Sequence, residues 1–197
     1  MKRALVTGGC GFIGSNLTKS LIKKGWKVDV VDDMSNGHLE LLNGVKKRIL
    51  PNASFLDVYY TQVENGTVTR EDDEVLFIQD DFASPFLLSN IEENYYDYVF
   101  HQAAVPRVGY SVESCKEGNI KRIVFASSSS VYGGADDLPT KETAPKNPKS
   151  PYAWQKSAIE DFAKLCWDLY QLDVVCLRYF NVFGPGQYGD SPYSTAV

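Results

Sequence analysis

Val6-Thr7-Gly8-Gly9-Cys10-Gly11-Phe12-Ile13-Gly14-Ser15-Asn16 decides how the chain is read. Ala4-Leu5-Val6 before it is a short apolar run that reads as a buried strand. Phe12, Ile13, Leu17, Leu21 and Ile22 after it are apolar at helical spacing. The helix is expected from about Gly11 to Lys24, with Gly25 as its stop signal. By itself a run of glycines is a tight turn. Set between a strand and a helix, it lets backbone approach a pyrophosphate while the helix N-terminus offers free N–H groups and partial positive charge.

Trp26 to Val31 reads as a second strand ending in Asp32-Asp33. An acidic residue about 20 positions past such glycines is placed to bind adenosine ribose hydroxyls. It would repel a 2′-phosphate, so Asp32 favours NAD over NADP. Further strands are expected at Val75–Ile78, Tyr98–His101, Ile123–Ala126 and Val174–Leu177, with a long helix at about Tyr152–Tyr170 started by the cap Ser150 and by Pro151. Strands alternating with helices imply an α/β fold with a doubly wound parallel sheet, the Rossmann architecture. From His38 to Glu74 the pattern weakens. This stretch reads as a surface excursion, with Asn65-Gly66 as a hairpin turn.

A net charge of -5 argues against nucleic-acid and membrane-surface partners, which call for a basic patch. No apolar run reaches the roughly 20 residues of a membrane span. The first strand begins at once, leaving no room for a signal peptide. Cys10, Cys115, Cys166 and Cys176 form no C-x-x-C pair and read as reduced core thiols of a cytoplasmic protein. No residue is read as a metal ligand.

The reacting groups are sought near the long helix. Tyr152 and Lys156 stand four apart and share one helix face. A lysine ammonium and a positive nicotinamide ring would stabilise the phenolate and make tyrosine a usable acid/base. The run Ser127-Ser128-Ser129-Ser130 ends a buried-looking strand, so it offers a substrate hydroxyl rather than a linker. His101 reads as a hydrogen-bonded core residue more than a base. Asp81 is placed either to accept from an adenine amino group or to cap the helix that begins at Pro85.

With these pieces in place the chain resembles the extended short-chain dehydrogenases/reductases, within the nucleotide-sugar epimerase and dehydratase family. The resemblance rests on Thr7 to Gly14, His101-Gln102-Ala103-Ala104, Ser127 to Gly133, Pro151-Tyr152-Ala153-Trp154-Gln155-Lys156 and Arg178-Tyr179-Phe180-Asn181. It implies Ser128, Tyr152 and Lys156 as catalytic residues. It implies NAD contacts at Gly8, Gly11, Phe12, Ile13, Gly14, Asp32, Asp33, Asn36, Gly37, Asp81, Phe82, Gln102, Ala103, Ala104, Tyr152, Lys156 and Phe180. Substrate contacts fall on Ser128, Ser129, Tyr152 and Asn181, the last at the nucleotide-sugar diphosphate.

Dehydratases of the family resemble Thr-Asp-Glu where this chain has Ser128-Ser129-Ser130, so no carboxylate stands ready for water elimination. The resemblance is greatest to UDP-glucose and UDP-N-acetylglucosamine 4-epimerases, with a uronate epimerase as an alternative and a homodimer implied for the full-length family form. Domains are expected at 1–180, binding NAD, and at 181–197, the beginning of a truncated substrate domain. The crossover from Val105 to Ile120 lacks the family's long helix, as if its ends were joined near 114–117.

Overall fold

A computed structural model describes residues 1–93, 95–103, 115–118, 120–134 and 138–187. In chain order the regular elements are β1 (Arg3–Thr7), α1 (Phe12–Lys23), β2 (Lys27–Asp32), β3 (Lys46–Leu50), α2 (Leu56–Glu64), β4 (Glu74–Gln79), α3 (Pro85–Glu92), β5 (Tyr98–His101), β6 (Arg122–Ser128), α4 (Pro151–Tyr170) and β7 (Val174–Tyr179). One parallel sheet runs in the order β3-β4-β2-β1-β5-β6-β7. The order reverses at β1, which pairs with β2 on one side and β5 on the other. Crevices of doubly wound sheets open at that point, beyond the carboxyl ends of the strands.

Successive strand residues face opposite sides, so a sheet covered on both faces needs apolar residues throughout. Leu5, Val31, Leu76, Ile78, Val99, Ile123 and Phe125 pack with residues of α2, α3 and α4. Ala4, Val6, Val28, Val30, Val75 and Phe77 pack with Leu21 of α1 and Leu42. α4 starts as expected: Ser150 Oγ accepts from the Ala153 N–H at 3.1 Å and Pro151 takes the first turn. The crossover expectation lies largely outside the described residues, which resume in a helical turn at 115–117 carrying a fully buried Cys115.

The excursion between β2 and β4 differs from the expectation. It holds a strand and a helix, and no hairpin. Lys46, Lys47 and Arg48 hid β3, yet basic side chains suit an edge strand because they deter further pairing. Asn65-Gly66 ends α2, with the Gly66 N–H on Val63 O at 3.2 Å and φ at +75°. Helix ends and hairpin turns both favour glycine at positive φ, so the dipeptide could not tell them apart.

This excursion is fastened by a buried ionic cluster. Asp29 in β2 is 2% exposed and accepts from the Tyr60 and Tyr96 hydroxyls, the latter at 3.0 Å. Arg70 pairs with it at 2.6 Å and also donates to Val28 O at 2.9 Å.

Candidate active site

The strand ends deliver the predicted residues to one edge of the sheet. β1 runs into Gly8, β2 ends in Asp32, β5 in His101 and β6 in Ser128. Gly8 sits at φ +67°, and a Cβ there would come within 2.9 Å of Ala103 N. A Cβ on Gly14 would meet Gly8 O at 2.2 Å. The turn therefore closes directly onto α1, and among the described residues no side chain caps the helix at Gly11, so its N-terminal N–H groups are not taken by a side-chain acceptor.

Asp32 ties β2 to that turn: one oxygen accepts from Cys10 N at 2.9 Å, the other from Met34 N at 3.0 Å. Each carboxylate oxygen keeps a second lone-pair direction for a ribose hydroxyl. Burial pushes the Asp32 carboxyl up, against those two N–H groups. Asp33 is exposed and held low by the Ser35 hydroxyl and N–H. The Cys10 thiol is buried and pushed up to about 12, chiefly by desolvation and then by Asp32, so it is inert.

Gly8, Gly11, Asp32, Asp33, Asn36, Gly37, Phe82, Gln102 and Ala103 line a groove of about 240 Å³. Phe12, Ile13 and Gly14 form the first turn of α1 and are not among the residues that line this groove. Asp81 Oδ1 accepts from the Ala83 N–H at 2.9 Å, a turn just before α3, whose N-cap is Ser84 rather than Asp81. Ala104 lies outside the described residues. The Gln102 Oε1 accepts from Tyr179 at 3.1 Å, while its Nε2, though buried, has no hydrogen-bond partner among the described residues. A buried amide donor without a partner is costly unless a ligand supplies the acceptor. With the glycine cradle and Asp32, this makes the groove fit a dinucleotide.

His101 takes the structural role expected for it. Its Nδ1 shares a 2.9 Å hydrogen bond with the Thr7 hydroxyl, and Phe82 and Phe125 flank its ring. Burial, with the Lys156 charge second, pulls its pKa from 6.5 to about 3. The unfolded chain protonates this ring below about pH 6.5 and the folded chain does not, so stability falls as pH drops through that window. Between about pH 7.5 and about pH 5, His101→Gln is expected to escape about 2 kcal/mol of that loss. Urea unfolding of both proteins at the two pH values measures it, and equal losses would overturn the assignment.

On the other side of the crevice, Ser128 ends β6 and its Oγ accepts from the Ser130 N–H at 3.2 Å. Ser129 begins the short turn Ser129–Tyr132 and is half-buried. Tyr152 is 50% exposed in the first turn of α4. Lys156 is buried; its Nζ donates to Ala126 O at 2.8 Å and sits 5.8 Å from the centre of the Tyr152 ring. Desolvation lowers its pKa. Phe180 and Asn181 are exposed just beyond β7. The following loop returns to the glycine turn, where Asn16 Nδ2 donates to Pro185 O at 2.9 Å.

A wider cleft of about 710 Å³ lies between α4 and β7, lined by Glu160, Trp167, Arg178 and Phe180 among others. Of the predicted residues it holds Phe180 alone. The ion pair Glu160–Arg178 in its wall was not singled out from the sequence, although Glu160 repeats the helical spacing of Tyr152 and Lys156.

The sequence pattern described as the NAD dependent epimerase/dehydratase family matches residues 4–196. The chain belongs to this family. It is 32% identical over 187 residues to the UDP-glucose 4-epimerase of Halalkalibacterium halodurans, covering 94% of this chain and 52% of that one. It is also 32% identical over 206 residues to the human dTDP-D-glucose 4,6-dehydratase, covering 95% and 52%. Among solved structures, a UDP-N-acetylglucosamine 4-epimerase from Methanobrevibacter ruminantium in complex with UDP-N-acetylmuramic acid superposes with a TM-score of 0.74 at 35% identity, over 99% of this chain and 60% of that one. The Thermus thermophilus UDP-glucose 4-epimerase complex with NAD gives 0.71 at 28% identity, over 97% and 59%. The chain thus spans about half the length of the curated relatives it matches. Among the described residues no helix is long and apolar enough to cross a membrane.

Proposed function

We propose that the chain carries the hydride-transfer half of an NAD-dependent nucleotide-sugar 4-epimerase acting on a UDP-hexose or UDP-N-acetylhexosamine. The observation that carries this reading is the end of β6. Ser128, Ser129 and Ser130 stand there in place of an acid–base pair, while α4 brings Tyr152 and Lys156 to the same edge of the sheet.

The nucleotide groove would hold NAD by the glycine turn, by Asp32 on the adenosine ribose and by Gln102. Bound there, NAD would supply a hydride acceptor for C4 of the sugar and the donor for its return. Ser128 holds the 4-hydroxyl in line. Tyr152 takes its proton as the carbonyl forms and gives one back after the keto sugar has turned over. Lys156 holds positive charge beside the phenolate and binds the nicotinamide ribose. Asn181 would meet the diphosphate. Ser129 and Ser130 carry hydroxyls where an acid–base pair would be needed to remove water, which speaks against the 4,6-dehydratase chemistry named for other relatives. The reading carries with it a cytoplasmic location and a homodimer for the full-length form.

Two measurements test it. Incubation with NAD and UDP-glucose or UDP-N-acetylglucosamine should reduce the nicotinamide, seen by its absorbance, and invert C4, seen by NMR. Reduction with a 4-keto-6-deoxy product would replace the reading by a dehydratase. NAD binding with neither signal would leave a non-catalytic NAD-binding relic, and C4 inversion confined to a UDP-uronate would shift the substrate to that class.

A further inference from the structure

The proposed chemistry needs Ser128, on a strand, and Tyr152 with Lys156, on a helix, to keep a fixed separation. One half-buried carboxylate spans those elements. Glu160 lies one helical turn past Lys156 and two past Tyr152, with its side chain 9% exposed. Its Oε1 accepts from the Ser127 hydroxyl at 2.6 Å, next to Ser128. Both oxygens take the Arg178 fork from β7, Nε at 2.9 Å and Nη2 at 2.7 Å. Arg178 Nη1 goes on to the Tyr132 hydroxyl at 2.9 Å and Glu142 O at 3.0 Å. Arg178 itself is three residues before Asn181.

Such a bidentate pair fixes orientation as well as distance. Rotamer freedom is small when a guanidinium fork from one strand holds both carboxylate oxygens and a hydroxyl from a second strand holds one of them.

We propose that Glu160 is a positioning residue: through Ser127 and Arg178 it sets the register of α4 against the ends of β6 and β7, and so the placement of Tyr152 relative to Ser128 and Asn181. The proposal rests on the epimerase reading for its kinetic consequence, but its geometric content does not.

Glu160→Gln keeps the shape and removes the charge. Turnover per NAD-loaded molecule is expected to fall by about 10- to 100-fold, the scale of a displacement near 1 Å, while KM for the UDP-sugar and NAD affinity stay within about threefold. Ser127→Ala, which deletes one hydroxyl and spares the ion pair, is expected to give a smaller loss with the same split, and it stands in should Glu160→Gln fail to fold. A loss shared between kcat and KM, or normal turnover per loaded molecule, would overturn the proposal. An activity-free measurement separates it from the epimerase reading. In protein labelled at tyrosine Cζ, the Tyr152 carbon resonance, assigned by its disappearance in Tyr152→Phe, is expected to move in Glu160→Gln while most other tyrosines stay in place. If the unsubstituted protein turns over no sugar yet this resonance moves, the epimerase reading fails and the positioning role stands. An unmoved resonance overturns the positioning role whatever the activity.

Discussion

Tyr152→Phe is expected to lower sugar-dependent nicotinamide reduction by about 10²- to 10⁴-fold, the usual contribution of a positioned acid/base, with NAD affinity nearly unchanged. The substitution removes one oxygen from a ring that is half exposed and sits in the first turn of α4. No described hydrogen bond uses that hydroxyl as a structural link, so its removal should change stability by no more than about 0.5 kcal/mol. Lys156→Met is a poorer probe of the same chemistry. It also strips Ala126 O of the donor that lies 2.8 Å away and leaves an alkyl chain against the Phe125 ring. The pair of variants therefore separates two roles. Tyr152→Phe should lose rate alone, whereas Lys156→Met should lose rate, cofactor affinity and stability together. Stopped-flow reduction with saturating UDP-glucose, beside thermal melts of both proteins, makes the comparison. Less than about a tenfold loss for Tyr152→Phe would remove it from the acid/base role.

The sheet was legible because parallel strands covered on both faces must be apolar along their whole length. Ala4-Leu5-Val6, Val75 to Ile78 and Ile123 to Ala126 carry that signal without help from other residues. β3 was missed for the converse reason. At the sheet edge, Lys46, Lys47 and Arg48 can reach Glu71, Glu74 and backbone carbonyls, so the strand needs little apolar surface. Asn65-Gly66 misled because local turn chemistry is shared between a hairpin and the end of α2. Which applied was decided by Leu56, Tyr59 and Tyr60 finding a core to enter.

The site divides in the same way. Glycines at fixed spacing, an acid at a strand end and a Tyr–Lys pair one turn apart are local patterns, and a single sequence displays them. Glu160 is different. Its spacing from Lys156 hinted at a common face, but its partners Ser127 and Arg178 come from two other strands. Only the register of β6 with β7, which sets Ser127 beside Arg178, brings them within reach of one carboxylate. Likewise, Asp29 reads in sequence as one polar residue in an apolar strand. Tyr60, Arg70 and Tyr96, all distant in sequence, explain why it is tolerated there.

That cluster gives the largest expected effect on stability. Arg70→Met should cost about 3–5 kcal/mol, because it leaves the Asp29 carboxylate buried with two tyrosine hydroxyls and no positive charge. Arg70 is 7% exposed on its side chain and Asp29 2%, so water cannot replace the lost partner without opening the structure. For a domain of this size that corresponds to a fall in melting temperature of about 6–20 °C. If the damage comes from the stranded charge, neutralising it should restore part of the loss. Asp29→Asn in the Arg70→Met background keeps an acceptor for the tyrosines and removes the charge, so the double variant should be more stable than the sum of the two single losses predicts. Additive losses would mean that Arg70 acts through packing alone. The position of Asp29 also sets where the damage is felt. It lies three residues before Asp32 on the same strand, while Tyr60 and Arg70 belong to the excursion that β2 anchors. Well below the melting temperature the β2–β1 pairing at Val31 and Thr7 still holds the end of the strand in place. NAD affinity should then change by only a few fold, and the excursion should loosen first, read as faster amide exchange in α2 than in α1.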